Sequence, residues 1–353
     1  MFKAEARFIR AISYDKLFGA FGPVPLRKSE ADELSIPRPS ADEIKLFIET
    51  ELLEALPNLP EPGSEEAYGR ATKGAAYGFL CKFYLNTKQW QKCADAAQEI
   101  MDMHYYGLQD DYVEMFKVDN ERNTEYIWVK PAYPSADRAS ANDWMNGAFP
   151  VDFAKDPKSG LEFQSNWVIF ASEYRMRDAF YESFDADDLR KNLILTSFIN
   201  SSGETINLLG DDNTRSFKYW PDPNAVAQAH GNDIPVIRYA DILLSRAEAL
   251  MELNGPNQES IDLINLVRDR ADVTLLELAD FSTSELLRDH LLKERGWEFF
   301  SEGKRREDMI RMGVFISEAV SRGISNARDY HVLFPIPQQA MDSDPALIQN
   351  DGY

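Results

Sequence analysis

Asn232-Asp233-Ile234-Pro235-Val236-Ile237-Arg238-Tyr239-Ala240-Asp241-Ile242-Leu243-Leu244-Ser245-Arg246-Ala247-Glu248-Ala249-Leu250-Met251 is the stretch that decides how this chain folds. Pro235 keeps its first part extended, because the pyrrolidine ring bars the preceding residue from the helical region. Beyond it Ile242, Leu243, Ala247 and Leu250 recur at helical spacing, so the second part reads as a helix with one apolar stripe. Arg238, Asp241, Arg246 and Glu248 stand inside this largely apolar window. An unpaired buried charge is prohibitive, so some of the four are expected to be paired where elements meet. A second block has the same character: Glu294-Arg295-Gly296-Trp297-Glu298-Phe299-Phe300, followed by Glu302-Gly303-Lys304-Arg305.

Outward towards the N-terminus, Tyr77-x-x-Leu80-Cys81-x-x-Tyr84 and Trp90-x-x-Cys93-x-x-x-Ala97 have the spacing of a tetratricopeptide helical hairpin. Small side chains belong where the two helices approach, and here they are Cys81 and Cys93. Both read as buried packing residues, while the same spacing leaves a disulfide across the hairpin open. A looser hairpin spans Leu244 to Val267, its turn lengthened by Asn254-Gly255-Pro256-Asn257. Residues 3–18 form a helix with Ala6, Phe8, Ile9, Ile12 and Leu17 spaced for burial. Ser40-Ala41-Asp42-Glu43 is a capping box that opens another, ended by Pro57 and Pro60. Ser282-x-x-Glu285 is expected to cap a helix carrying Leu286, Leu287, Leu291, Trp297 and Phe300. The result is a helical array whose period is too irregular for a regular solenoid.

From Glu125 to Asn232 the texture changes. Glu125-Tyr126-Ile127-Trp128-Val129 reads as a strand, and one helix is expected between Ser172 and Phe184. The remainder is rich in Pro, Gly, Asn, Ser and Asp, with Tyr133, Trp144, Phe149, Phe153, Trp167 and Trp220 on no helical stripe. A loop region of this length is usually functional or disordered, and its aromatic content argues against disorder. Pyranose rings offer an apolar face of C–H groups to a flat ring side chain, while Asn, Asp and Arg bond the hydroxyls. Asp137-Arg138 and Asn142-Asp143-Trp144-Met145-Asn146 bring these types together on one loop. The candidate sugar site is therefore Trp144, Tyr133 and Trp220 as stacking rings, with Asn142, Asp143 and Asn146 for hydroxyls. Each alone reads as loop packing; the set points to a sugar-binding surface.

Composition removes other classes. A net charge of -21 over 353 residues repels phosphate backbones, so no nucleic-acid partner is expected. Nothing approaches eighteen consecutive apolar residues, so no transmembrane helix is expected. Among His104, His230, His290 and His331 there is no His-Glu-x-x-His, and no Gly-x-Ser-x-Gly or Cys-x-x-Cys occurs, which disfavours nucleophilic catalysis and a zinc site. No metal or cofactor is expected. The clusters Asp185-Ala186-Asp187-Asp188 and Asp211-Asp212-Asn213 read as solvated loop carboxylates, a structural calcium ion being the alternative.

Two blocks carry a family resemblance. Arg238-Tyr239-Ala240-Asp241-x-Leu243-Leu244 with Ala247-Glu248-Ala249, and Glu294-Arg295-x-x-Glu298-Phe299 with Glu302-Gly303-x-Arg305, resemble the signatures of SusD/RagB proteins. Further blocks follow in the family's order: Glu5-Ala6-Arg7-Phe8-Ile9-Arg10-Ala11, Phe18-Gly19 with Gly22-Pro23-Val24-Pro25-Leu26, Gly69 to Ala76, Phe334-Pro335-Ile336-Pro337, and Gln349-Asn350-Asp351-Gly352-Tyr353. Arg306 stands where the family commonly has an aromatic, and Asp351 where it has proline.

The resemblance implies a mainly α, SusD-like fold with tetratricopeptide-like hairpins and a loop-rich ligand-binding half. Residues 1–353 are expected to be one domain, with 1–124 and 234–353 as scaffold and 125–233 as the insertion carrying the site. It further implies a non-catalytic glycan-binding lipoprotein of the outer membrane, exposed at the cell surface, delivering oligo- or polysaccharide to a SusC-like TonB-dependent transporter. Family members carry a signal peptide, a lipidated cysteine and further residues before the Glu-Ala-Arg-Phe block, so this chain is expected to be an N-terminally shortened member. The alternative is a helical-repeat scaffold for protein or peptide partners.

Overall fold

The computed structural model describes every residue except 34, 137–139 and 171. The chain is mainly helical, 45% helix against 9% strand, as the sequence implies. It forms two compact units, one of residues 1–102 with 304–353 and one of residues 103–303. This division differs from the expected one: the second hairpin and the Glu294–Phe300 block belong with the loop-rich stretch, not with the N-terminal hairpins.

The first unit begins with α1 (Phe2–Phe21), α2 (Ala41–Ala55), α3 (Lys73–Asn86) and α4 (Trp90–Asp102). The second contains β1 (Tyr126–Lys130), α5 (Trp144–Ala148), β2 (Phe153–Lys155), α6 (Asp178–Glu182), β3 (Ile194–Leu195) and β4 (Ser197–Asn200). It continues through β5 (Thr205–Asn207), β6 (Arg215–Ser216), β7 (Ile234–Arg238), α7 (Tyr239–Asn254), α8 (Gln258–Arg270) and α9 (Ser284–Phe299). The chain then completes the first unit with α10 (Arg305–Arg311), α11 (Phe315–Ser321) and α12 (Gln338–Ser343).

In the first unit α1 and α2 pack through Ala4, Phe8 and Ala11 against Ile44, Ile48, Leu52 and Ala55, all buried. The capping box at Ser40 forms as read, its hydroxyl accepting from Glu43 N while the Glu43 carboxylate accepts from Ser40 N. Arg7 and Arg10 both donate to the buried Glu51 carboxylate at 2.7 Å. The α3–α4 hairpin closes over Gly74, Ala75, Gly78 and Cys81 on one side and Cys93, Ala94 and Ala97 on the other. Cys81 and Cys93 are buried free thiols with their sulfurs 3.8 Å apart. Because size is what these positions need, Cys81→Leu is expected to cost about 2 kcal/mol by overpacking, while Cys81→Ala costs less. Urea denaturation of the two variants checks this, and an equal loss in both would refute the close-approach argument.

The second unit is built around the decisive stretch. Pro235 lies in β7, which pairs antiparallel with β1 and runs without a break into α7. Arg238 ends the strand fully buried, and its guanidinium reaches Glu125, Glu298 and Glu302. Asp241 pairs with Arg295 at 2.9 Å. Arg246 instead meets the more exposed Glu259. Around them Arg190 joins Asp188, Glu294 and Glu298; Arg268 joins Glu294; Arg270 joins Glu125 and Glu298; and Lys218 joins Glu302. Of the charges expected to pair, Arg238 lies within this connected network, while Asp241 and Arg246 make the separate pairs given above. At α9 the cap is Thr283, whose side chain accepts from Leu286 N, one residue beyond the expected Ser282.

The loop-rich stretch folds over an aromatic core of its own. Phe149, Phe153, Trp167, Phe198 and Phe217 are buried together with Met145, Leu195 and Leu208. Phe149 stacks on Trp167 at 5.5 Å and meets Phe217 edge-on at 5.5 Å. Rings that fit no helical stripe therefore fill a core made by short strands and turns.

Candidate functional site

The turn from Asn142 to Asn146 is held from below by residues 228–232. Asn142 and His230 exchange backbone hydrogen bonds, Asn142 N donating at 2.9 Å and His230 N at 3.3 Å. The Asn142 amide donates to Asn232 O at 3.1 Å while its oxygen accepts from Trp144 N at 3.0 Å, opening α5. The Asn146 amide donates to Asp143 O and to Gln228 O.

Both asparagines are only 3% exposed. Their assignment to sugar hydroxyls is therefore corrected: the amides are spent on backbone carbonyls, which an unsatisfied loop peptide group requires. They make the turn rigid and do not face a ligand. Asp143, between them, is exposed. Asn146 Oδ1, Asn232 Oδ1 and His230 Nε2 are buried without a hydrogen-bond partner, each costing about 1–3 kcal/mol. Such a cost in one small region is more often retained for function than for stability.

The three rings fare differently. Trp144 is half-buried; its indole N–H donates to Ser216 O at 3.1 Å, and Tyr219 meets it edge-on at 6.0 Å. Trp220 is half-buried beside a small hollow it shares with Asp156, Lys158 and Asn192, and the Lys117 ammonium sits 5.3 Å from its ring. Tyr133 is 56% exposed. Asn142, Asp143, Trp144 and Asn146 share one turn; Tyr133 N donates to Ser140 O beside it at 2.8 Å, but among the described residues no ring contact joins Tyr133 to Trp144 or Trp220. Asp137 and Arg138, which sequence placed beside them, lie outside the described residues.

Sequence reasoning missed Tyr174, which stacks on Trp144 with ring centres 4.7 Å apart and planes 28° from parallel. It lay within the helix expected from Ser172. That helix begins only at Asp178, because Met176 pairs with Thr214 and holds the preceding backbone extended. His230 was also missed. Burial pushes its imidazole down to about 4 although Asp222 and Asp143 pull the other way. Its Nδ1 accepts from Asp222 N at 3.1 Å, so the ring is neutral and positions the 222–232 loop.

Asp188 is buried against Arg190, and Asp212 Oδ1 accepts from Asp178 N at 2.9 Å. Among the described residues no three His, Cys, Asp or Glu side chains converge as metal ligands. The first unit has a pocket of about 280 Å³ lined by Asp15, Phe18, Asn86, Arg306, Glu307 and Ile310. Burial, with Glu307 nearby, pushes the Asp15 carboxyl up to about 7.

Known proteins share this architecture and sequence. The model described as "SusD family" matches residues 213–353, and that described as "Starch-binding associating with outer membrane" matches residues 1–85. The chain is 27% identical to SusD-like protein P25 of Formosa agariphila, covering 99% of this chain and 72% of that one. It is 23% identical to the Starch-binding protein SusD of Bacteroides thetaiotaomicron over the same shares. The solved structure of a laminarin-binding SusD-like protein superposes with a TM-score of 0.83 at 24% identity, over 99% of this chain and 78% of the other. With both signature blocks inside the first match and the Glu5–Ala11 block inside the second, the chain belongs to the SusD family.

Proposed function

We propose that this protein captures oligo- or polysaccharide on the loop face of its second unit and delivers it, uncleaved, to a SusC-like TonB-dependent transporter at the outer-membrane surface. The observation that carries the reading is the Asn142–Asn146 turn, where buried amides fix the backbone and leave aromatic side chains partly open around α5. Rigid rings lose little entropy on binding, so such a surface suits a flat apolar sugar face. Kinship with starch- and laminarin-binding proteins supports the same reading. Capture needs no acid–base pair and no metal.

Isothermal titration against starch, laminarin and other plant, host and microbial polysaccharides tests it. Binding to at least one is the expected result, and silence across the panel would overturn it. Trp144→Ala is expected to weaken that binding about tenfold, roughly 1.4 kcal/mol, with far-UV circular dichroism unchanged. Unaltered affinity would remove Trp144 from the site. Co-purification with an outer-membrane transporter tests delivery separately.

One observation favours a protein partner as a second reading. Phe2 and Ile9 on α1, and Leu46 and Leu53 on α2, are exposed at intervals that put each pair on one helix face. Peptide binding without glycan binding would favour it.

A further inference from the structure

The first unit holds a cavity of about 280 Å³ that glycan capture leaves unused. Residues of α1, the end of α3 and α10 line it, and Phe18, Ala20 and Ile310 give it an apolar wall. Two carboxylates share the lining, Asp15 from α1 and Glu307 from α10. Glu307 is engaged: its Oε2 accepts from Asn86 Nδ2 at 3.2 Å, and its Oε1 lies 3.7 Å from the Lys16 ammonium. Asp15 makes no hydrogen bond or ion pair among the described residues.

The positive groups of the lining are held elsewhere. Arg306 donates to Gly19 O and Val332 O and lies over the Phe334 ring at 4.8 Å. Arg311 pairs with Asp308 at 2.8 Å and donates to Asn86 Oδ1 at 2.9 Å. Lys16 is 66% exposed. What the cavity lacks is a donor for Asp15. A carboxylate withdrawn from water without one is unfavourable, and this group keeps its proton up to about 7. Burial and Glu307 push it up, while Lys16 and Lys82 pull the other way.

We infer that this cavity is a binding site for an alkylammonium ion, a primary ammonium on a short apolar stem, carried by a free amine or by a lysine side chain. The ammonium brings three N–H donors, enough for Asp15 and the remaining lone pairs of Glu307. Its stem finds cover against Phe18 and Ile310. The volume falls just below the about 300–1,000 Å³ of drug-sized ligand sites, which suits a small ligand. A formal charge of -21 draws cations to the chain and repels anions. A bound cation favours the ionised form of Asp15, so binding releases a proton and strengthens as pH rises towards 7. The ammonium keeps its own charge throughout, losing it only near about pH 10.4, as lysine does.

Isothermal titration of the full chain with n-butylammonium chloride and with N-acetyl-lysine amide, at pH 6 and pH 8, tests this. At least one is expected to bind, about tenfold more weakly at pH 6 than at pH 8, the drop in the ionised fraction of Asp15. Binding of the lysine amide alone would assign the cavity to a lysine side chain, and of butylammonium alone to a free amine. Asp15→Asn is expected to weaken binding at pH 8 at least tenfold. The variant loses no partner, so it should fold, as circular dichroism checks. Its thermal midpoint at pH 8 should exceed that of wild type, because a carboxyl raised from 3.8 in the fold lowers stability as pH climbs to about 7. Equal affinity for butanoate would overturn the cation class. No binding of either amine at pH 8, an unaffected Asp15→Asn, or equal affinities at the two pH values would overturn the site. None of these outcomes bears on glycan capture.

Discussion

Arg238→Met is expected to lower the stability of the second unit by about 3–5 kcal/mol or to prevent its folding, the usual result of removing one partner from a buried ion pair. All five guanidinium N–H groups of Arg238 are used. Nε and one Nη2 hydrogen go to the Glu302 carboxylate at 2.9 Å, and the other Nη2 hydrogen goes to Glu298 O at 2.7 Å. Both Nη1 hydrogens go to Glu125 and Glu298. Phe299 covers the group at 4.5 Å. Methionine fills similar volume but leaves three buried carboxylates short of positive charge, in surroundings that cannot solvate them. Burial, with repulsion from Arg238 itself, pushes the Lys218 ammonium down to about 7 against the pull of Glu302 and Glu298; the variant relieves that repulsion, but the Lys218 ion pair is with Glu302, so it does not replace Arg238 at Glu125 or Glu298. Arg246→Met, on the helix that follows, is the control, since its partner Glu259 is 55% exposed and such pairs contribute about 0.2–1 kcal/mol. Urea titrations of the two variants check the difference; equal losses would mean that the network contributes nothing special.

Acid should unfold the second unit steeply only below about pH 4.5. Burial pushes the Glu298 carboxyl up, but Arg270, Arg238 and Arg190 overcome it and hold it at about 2. Glu294 is held lower still: Arg190 outweighs its burial, with help from His290 and Arg268. A carboxylate depressed in the fold contributes stability above its unfolded value of 4.5, and that contribution drains away as pH falls towards the folded value. For Glu298 the full amount is about 3 kcal/mol at 1.36 kcal/mol per unit. Between pH 7 and 4.5 two other groups oppose each other. His230, neutral when buried, costs stability as pH falls from 6.5 to about 4. Glu121, pushed up to about 7 by burial and by Asp233, gains protons in the fold first and returns stability over pH 7 to 4.5. His230→Gln should therefore make stability rise as pH falls through this window, and Glu121→Gln should make it fall. Denaturation midpoints measured from pH 8 to 3 check both signs, and identical profiles for the two variants would refute the assignment.

What was legible in the sequence was whatever depends on local spacing. The capping box at Ser40, the hairpin between Cys81 and Cys93, the strand beside Tyr126 and the strand-to-helix passage at Arg238 all came from neighbours a few residues apart. Charge inside an apolar window gave enough to expect pairing, but not the partners. Glu125 and Glu298 lie 113 and 60 residues from Arg238, and no local pattern connects them.

The candidate site was legible in kind and not in detail. Asn142, Asp143, Trp144 and Asn146 do form one turn, yet residue type alone could not tell a ligand amide from one committed to a carbonyl. That depended on the 228–232 segment passing beneath. Tyr174 carried no signal because its importance lies in the ring it covers and in a missing Cβ at Gly147.

By itself the sequence determined the helical class, the hairpins, the buried charge and the family, because each is written in spacings within a turn or two of chain. Only the tertiary structure decided which carboxylates neutralise Arg238, which asparagines are buried and which ring is left facing solvent. Those outcomes depend on segments far apart in the chain competing for the same donors, acceptors and faces, and that competition is settled only when they are packed together.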